Sequence, residues 1–169
     1  MVLIESAAPQ RHNVDQYLAD KEGNMFKHLL LAVDGTPFSD AAFRKALLLA
    51  QELKARITAL RVCPDYRVLP NEVETLPETR EHLALAARQD VTNYLAGIER
   101  EAAAAGGPCE TTFLTHAHPY EAIVRTAHET GCDLIVMASH GRRGVQALLI
   151  GSETQKVLTH SQIPVLVYR

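Results

Sequence analysis

The chain has 169 residues, 47% of them apolar, and a formal net charge of −3 at pH 7. This length is enough for one domain with its own core, and the charge excludes a nucleic-acid-binding module that depends on a basic surface. No apolar run approaches the ~20 residues of a membrane span, so the sequence predicts no membrane-spanning helix.

The first residues and the cysteines indicate a cytoplasmic protein. Met1–Ile4 precede Glu5 without the charged-then-apolar pattern of a secretory signal. Cys63, Cys109 and Cys132 form no C-x-x-C pair and are typical of small buried thiols in a reducing compartment. Residues 1–24 are polar, and we predict a weakly ordered leader or an alternative translational start there.

From residue 25 onward, short aliphatic runs alternate with helical patterns, which predicts a domain over 25–169. The predicted strands are Phe26–Val33, Arg56–Cys63, Cys109–Thr115, Asp133–Ala138 and Pro164–Tyr168. The predicted helices are Ala41–Ala55, Thr79–Ala105, Pro119–Thr130 and Ser152–His160. The loop Pro64–Pro77 is long for a connection, which is typical of functional loops.

Strict alternation of strands and helices predicts a three-layer, doubly wound α/β fold. Its parallel five-stranded sheet would have the strand order 3-2-1-4-5, counted along the predicted strands. Ligands of such folds bind outside the carboxyl ends of the strands, where the order reverses. That rule places Asp34, after the first strand, beside the loop Ala138–Ser152, after the fourth.

The loop after the fourth strand has the chemistry of an anion site. It carries glycines, includes Arg142 and Arg143, and ends in Gly151-Ser152 directly before a helix, where Ser152 is the expected N-cap. Glycines let the backbone approach a ligand, and the first N–H groups of a helix point at a bound anion. The stretch is neither a P-loop nor a G-x-G-x-x-G site, because both spacings are missing.

These residues together resemble the universal stress protein family. The resemblance rests on Ala32-Val33-Asp34, on Ser139-His140-Gly141-Arg142-Arg143-Gly144, on Leu148–Ser152 and on Ile163–Val167. It implies a domain of the adenine nucleotide alpha hydrolase-like class, in a dimeric cytoplasmic regulator of the stress response. It also implies a binding site for ATP, alone or with Mg²⁺, or for a related adenine nucleotide, and a regulatory protein partner that the sequence does not identify.

The resemblance also assigns residues to the nucleotide site. ATP-binding members share the pattern G-2x-G-9x-G-S/T, which Gly141, Gly151 and Ser152 match here, while Ala138 stands at the first glycine. The residues expected to bind nucleotide are Ala32, Val33, Asp34, Val62, Met137, Ala138, Gly141, Arg142, Arg143, Gly151, Ser152 and Glu153.

Two of these residues depart from the family pattern. The methyl group of Ala138 is tolerable only if its φ is negative. The carboxylate of Glu153 suits the helix dipole but repels a phosphate a few Å away. It could hold a metal ion with the phosphates, or pair with Arg142 and Arg143 and fill the anion site itself. The second case gives the alternative hypothesis, a nucleotide-independent interaction protein of the stress response.

The last predicted strand indicates a homodimer. It is an apolar edge strand, which needs a cover to avoid open pairing, and by resemblance the same strand of a second copy supplies it. The expected interface residues are Pro164, Val165, Leu166, Val167 and Tyr168, paired antiparallel across a two-fold axis.

Catalytic and metal sites are not predicted. His116, His118 and His140 have no carboxylate or cysteine partner in register, so zinc is not expected. Neither paired carboxylates nor a nucleophile with its base can be assembled, which favours a binding protein in which ATP hydrolysis, if any, is slow and incidental. Asp34 stands without the acidic cluster of a receiver domain. A third hypothesis, after the nucleotide-binding regulator and the interaction protein, is a nucleotidyl-transfer or hydrolase enzyme on the same fold.

Overall fold

Strands and helices alternate along the computed structural model, which describes residues 2–4, 25–63, 77–139 and 150–169. The strands are β1 Val2–Ile4, β2 His28–Val33, β3 Arg56–Cys63, β4 Cys109–Thr115, β5 Leu134–Ala138 and β6 Val165–Tyr168. The helices are α1 Pro37–Leu53, α2 Pro77–Ala104, α3 Pro119–Glu129 and α4 Ser152–His160. None of the helices in these ranges is both long and apolar enough to cross a membrane.

The described strands form one sheet in the order β1-β6-β5-β2-β3-β4. From β2 to β6 all neighbours are parallel. Counted along the five predicted strands, their order is 3-2-1-4-5, so the predicted fold is confirmed. The chain reverses its direction of winding between β2 and β5, because the connections leaving these two neighbouring strands lead to opposite sides of the sheet.

The sheet has one strand that the sequence did not predict. Val2–Ile4 pairs antiparallel with β6, opposite Val165–Val167. The prediction that β6 is an edge strand is therefore wrong, because β1 of the same chain lies beyond it. Three residues are too few to show a strand period, and their partner lies at the other end of the chain. The remainder of the leader lies outside the described residues.

Helix α1 begins four residues earlier than predicted. Thr36 is its N-cap, with its hydroxyl oxygen accepting a hydrogen bond from Ser39 N, and Pro37 occupies the first turn. Proline suits that position because its missing N–H would have no partner within the helix. The helix ends at Leu53, because Lys54 takes the left-handed conformation with φ of 48°.

The core has two halves, one on each face of the sheet, and it is almost entirely aliphatic. The half under α1 and α2 includes the buried residues Leu29, Leu31, Val33, Phe43, Leu47, Ile57, Leu95, Ile98, Leu134 and Val136. The half under α3 and α4 includes Leu30, Leu60, Ile123, Ile135, Met137, Val157, Val165 and Val167. The strands supply both halves alternately, as strands covered on both faces must.

A buried histidine lies at the amino ends of the strands, opposite the predicted ligand edge. His28 is 5% exposed, and its ring places Nε2 2.8 Å from Thr58 Oγ1 and Nδ1 3.4 Å from Arg56 Nη2. A guanidinium only donates, so Nδ1 is the acceptor and the neutral ring donates from Nε2–H to Thr58. Burial, and next the charge of Arg56, lower the pKa of His28 below its ordinary value of 6.5.

We expect His28 to destabilise the protein on acidification. Because its folded pKa lies below the unfolded value of 6.5, the unfolded chain binds the extra proton first as the pH falls, and stability drops from pH 6.5 downward by at most about 1.4 kcal/mol per pH unit. Urea unfolding at pH 7.5 and 5.5 should show a smaller loss for His28→Gln than for the unmodified chain. Equal losses in the two proteins would contradict this assignment.

Candidate functional site

The candidate site lies at the carboxyl ends of β2 and β5. Ala32 on β2 is paired with Met137 on β5, and each strand ends one residue later. Adjacent strands are about 4.8 Å apart, so Asp34 and Ser139, which follow the two strands, lie side by side at one rim of the sheet. Asp34 was predicted to lie beside the loop after the fourth strand, and the first residue of that loop, Ser139, does lie beside it.

The carboxylate of Asp34 organises a tight turn between β2 and α1. Its Oδ1 accepts hydrogen bonds from Thr36 N at 3.0 Å and from Thr36 Oγ1 at 2.7 Å, and its own N–H donates to Ser39 Oγ at 3.1 Å. Between them, Gly35 has φ of +76°, a conformation that L side chains rarely adopt. The turn holds the Asp34 side chain at the rim while its backbone leaves the sheet.

A buried arginine, which the sequence did not single out, lies behind this turn. Arg61 on β3 is 7% exposed, and its Nη1 has no hydrogen-bond partner in the part of the chain that the structure describes. Its guanidinium lies 5.4 Å from the ring centre of Tyr94, whose hydroxyl donates to Asp40 Oδ1 at 2.8 Å. A Cβ at Gly35 would lie 3.0 Å from Nη1, so the turn and the cation are in close contact.

Tyr94 is neutral in this arrangement. Burial, and next its hydrogen bond to Asp40, raise the pKa of its phenol well above the usual range. The ring therefore offers a neutral π face to the Arg61 cation, and its hydroxyl remains the donor to Asp40. No spacing in the sequence signals this contact, since Arg61 and Tyr94 are on different elements.

Three of the predicted apolar site residues share one face of the sheet. Met137 belongs to the core half under α3 and α4, and Ala32 and Val62 pack against it. Val33 is different, since its side chain is 4% exposed and lies in the core half under α1 and α2. Ala32, Val62 and Met137 thus form an apolar edge next to Asp34, to which Val33 contributes only its backbone.

The two ends of the loop after β5 are held together by hydrogen bonds. Gly151 N donates to Ser139 O at 2.7 Å, and the buried Thr154 donates from Oγ1 to Ala138 O at 3.1 Å. Ser139 N in turn donates to Tyr168 O at 2.7 Å. The start of α4 is therefore fixed against the end of β5, close to Asp34. Ser139 and Thr154 were not predicted to have this role.

The prediction that Ser152 caps α4 is wrong, although the helix spans Ser152–His160 as predicted. Gly151 is the N-cap, without a side-chain cap bond, and Ser152 is the first helical residue with an exposed side chain. The N–H groups of the first turn have no partner within the helix itself. With the positive end of the helix dipole, they make this corner suited to an anion.

Glu153 points to another helix. Its Oε2 accepts from the backbone N–H of Tyr120 at 3.0 Å, in the first turn of α3, and its Oε1 accepts from Lys156 Nζ at 2.8 Å. His118, the N-cap of α3, makes no side-chain cap bond, so Glu153 satisfies that helix end instead. Both carboxylate oxygens thus have partners away from the first turn of α4.

The φ angle of Ala138 is negative, as its methyl group requires. It is the last residue of β5, paired with Tyr168, and among the described non-glycine residues only Lys54 has a positive φ. An alanine is therefore accommodated there without backbone strain. Gly141, Arg142 and Arg143, which the sequence also assigned to the site, lie outside the described residues, as does the loop 64–76.

The described histidines and cysteines show no metal site. No group of three His, Cys, Asp or Glu side chains in the described ranges is arranged to hold a metal ion. His116 Nδ1 instead accepts from His118 N at 3.1 Å, and His140 is not among the described residues. All three cysteines are free; burial raises the pKa of Cys109 to about 11 and also raises that of Cys132, so both are protonated thiols at neutral pH.

The predicted dimer residues lie at the C-terminal end of the chain. Val165, Leu166 and Val167 are buried in β6, Tyr168 ends the strand and Pro164 precedes it. The outer edge of β6 is occupied by β1 of the same chain. Antiparallel pairing of β6 with a second copy thus requires that β1 leave this edge.

Comparison with known proteins finds relatives in one family. The model of the universal stress protein family matches residues 25–169. The universal stress protein YxiE of Bacillus subtilis is 31% identical over 149 residues, covering 86% of this chain and 100% of the relative. A universal stress protein of Thermus aquaticus is 36% identical over 146 residues, covering 86% of this chain and all of the relative.

Solved structures share the fold. The hypothetical protein MJ0577 superposes with a TM-score of 0.73 at 25% identity, covering 85% of this chain and 95% of that protein. A universal stress protein in complex with cAMP has a TM-score of 0.62 at 21% identity and the coverages 85% and 97%. The Archaeoglobus fulgidus universal stress protein in complex with dAMP has a TM-score of 0.56 at 19% identity, with coverages of 86% and 99%.

Proposed function

The chain belongs to the universal stress protein family, and we propose that it is a cytoplasmic regulator of the stress response that binds an adenine nucleotide between β2 and β5. The ligand is ATP, with or without Mg²⁺, or a related adenine nucleotide. The regulator acts as a homodimer through β6 and signals to a protein partner. It is a binding protein rather than an enzyme, and any hydrolysis of ATP is incidental.

The observation that carries the proposal is the meeting of two elements at one rim. The Asp34 turn and the first turn of α4 follow neighbouring strands, and the pair Ser139–Gly151 fixes the helix there. A carboxylate accepts hydrogen bonds from the hydroxyls of a ribose or the amino group of adenine, whereas helix N–H groups donate to phosphate. The apolar edge of Ala32, Val62 and Met137 offers a surface for the base.

The partners of Glu153 favour nucleotide binding over the alternative in which this residue fills the anion site. Its oxygens are engaged with Tyr120 N and Lys156 Nζ, and the positive charge of Lys156 offsets part of its negative charge. The repulsion of a phosphate by Glu153 is accordingly reduced. With Mg²⁺, the phosphate oxygens of the nucleotide itself would be the metal's main ligands, as is usual for this ion.

Two proteins of this fold with adenine mononucleotides, cAMP and dAMP, support an adenine ligand over a guanine one. Each of these ligands has a single phosphate, so they do not indicate how many phosphates the ligand of this chain carries. We propose ATP because the loop after β5 carries Arg142 and Arg143, whose charges suit a polyphosphate.

Thermal melting with nucleotides tests this proposal. At a free nucleotide concentration a hundredfold above its Kd, binding should add about 2.7 kcal/mol, which raises the Tm of a chain of this size by about 5–11 °C. ATP, ADP, AMP and cAMP are compared with and without Mg²⁺, with GTP as the matched control. A Tm unchanged by all adenine nucleotides at millimolar concentration would contradict nucleotide binding and favour the interaction protein.

A further inference from the structure

The sheet is completed on one side by a strand from outside the family domain. β1 belongs to the leader, whereas the family model begins at residue 25. The two curated relatives align over their whole length with only 86% of this chain. The pairing is antiparallel, with Leu3 opposite Leu166 at its centre. The edge of β6 that the proposed dimer uses is thus covered within one chain by an additional segment.

The sequence of β1 nearly repeats that of β6. β1 reads Val-Leu-Ile and β6 begins Val-Leu-Val, and in the observed register Val2 lies opposite Val167 and Ile4 opposite Val165. If the segment Val165–Val167 of a second copy replaced β1 residue for residue, Leu166 would lie opposite Leu166 and Val165 opposite Val167, twice. A two-fold axis requires this reciprocal relation.

From this match we infer that β1 occupies, within the chain, the place that β6 of a second copy takes in the dimer. The inference rests on the proposed dimer and adds its regulation: the leader competes with the partner copy. A segment tethered to its own binding edge competes at an effective concentration on the order of millimolar. Dimers therefore form only when β1 leaves β6, and a change that displaces the leader shifts the chain toward the dimer.

The short length of β1 makes such an exchange feasible. Three residues pair with β6, so few backbone hydrogen bonds are broken when β1 leaves. The edge exposed in this way is apolar and extended, a surface that readily pairs with another strand. A second copy offers the same three residue positions in the same register, so it can replace what β1 provided.

Sedimentation velocity of the full chain tests this competition. In the variant Leu3→Pro/Ile4→Pro, one of the two prolines removes an N–H that faces β6, because neighbouring residues of a strand direct their N–H groups to opposite sides. The control Ala7→Pro/Ala8→Pro places two prolines in the leader outside β1. Over ~1–100 µM, we expect the first variant to dimerise with a Kd at least about tenfold lower than the unmodified chain and the control.

The outcomes of this experiment distinguish the proposed competition by β1 from the proposed dimerisation through β6. Equal dimerisation of all three proteins would overturn the competition and leave the dimer standing. Absence of dimers in all three at ~100 µM would overturn both, while nucleotide binding would still be judged by thermal melting.

Hydrogen exchange identifies the edge that is involved. In the Leu3→Pro/Ile4→Pro variant, the amides of Val165 and Val167, whose N–H groups face β1, should exchange faster at low protein concentration than in the unmodified chain, and should regain protection as dimers form. Protection that appears instead on β4, at the other side of the sheet, would contradict the proposed place of the second copy.

Discussion

The variant Asp34→Asn is expected to keep the fold and to lose most of its stabilisation by adenine nucleotide. Asparagine retains one oxygen, which can still accept the hydrogen bonds from Thr36 N and Thr36 Oγ1 that form the turn. It loses the negative charge, and its second oxygen becomes an NH₂ donor. A ligand group that donates to the carboxylate is then opposed by another donor, and a hydrogen bond to a charged group contributes about 1.5–3 kcal/mol.

The Kd for the nucleotide that stabilises the chain best should therefore rise by about 10–100-fold, measured by calorimetric titration. The Tm without nucleotide should change little, which shows that the turn is intact. Asp90→Asn, an exposed carboxylate on α2, is the matched control and should bind as the unmodified chain does. If Asp34→Asn binds as tightly as this control, Asp34 does not contact the nucleotide.

The strand order and the place of Asp34 were predictable because they depend on local patterns and general rules. Aliphatic runs such as Phe26–Val33 are too short for helices, and alternation with helices implies right-handed crossovers. From there, the position of Asp34 next to the loop after β5 follows from the topology alone. The register of Ala32 with Met137 agrees with that expectation.

Other parts of the site depend on contacts between distant residues of the chain. The alternatives predicted for Glu153 involved its own helix dipole, a metal ion or Arg142 and Arg143. Among the described residues its carboxylate bonds Lys156 on α4 and Tyr120 N on α3, and the sequence did not indicate the second contact. Whether a carboxylate in a first turn bonds its own helix or a neighbouring one depends on how the two helices pack, which no single-sequence pattern indicates. The contact of Arg61 was unpredictable for the same reason, since only the folded structure brings its guanidinium against Gly35.

The helix boundaries and the added strand could not be predicted for a second reason, which is that local sequence signals are ambiguous. Thr36-Pro37 and Gly151-Ser152 each allow two cap positions, and backbone geometry decides between them. Val2–Ile4 is too short for a periodic signal, and β-strand preference is weak without a known partner. The near repetition of Val165–Val167 by Val2–Ile4 was a signal in the sequence, but repeats of three residues are too common to identify a pair by themselves.

A second large effect is expected at the opposite rim of the sheet, from Asp133→Ala. The carboxylate accepts from Lys27 N at 2.8 Å and from His28 N at 3.0 Å, so it ties the start of β2 to the start of β5. Alanine leaves both N–H groups without this acceptor, and hydrogen bonds to a charged group are worth about 1.5–3 kcal/mol each. Because Lys27 N is exposed and regains water, we expect a total loss of about 2–4 kcal/mol in the free energy of unfolding.

Urea unfolding at pH 7.5 measures this loss, with Asp133→Asn expected between the two proteins because the amide keeps one acceptor oxygen. Asp90→Ala, at an exposed position, should stay within about 0.5 kcal/mol of the unmodified chain. A loss of that small size for Asp133→Ala would contradict its role. The six residues of β2 separate this contact from the nucleotide rim by about 20 Å. Folded Asp133→Ala should therefore bind nucleotide with an unchanged Kd, whereas Asp34→Asn should show the opposite pattern, with stability kept and binding lost.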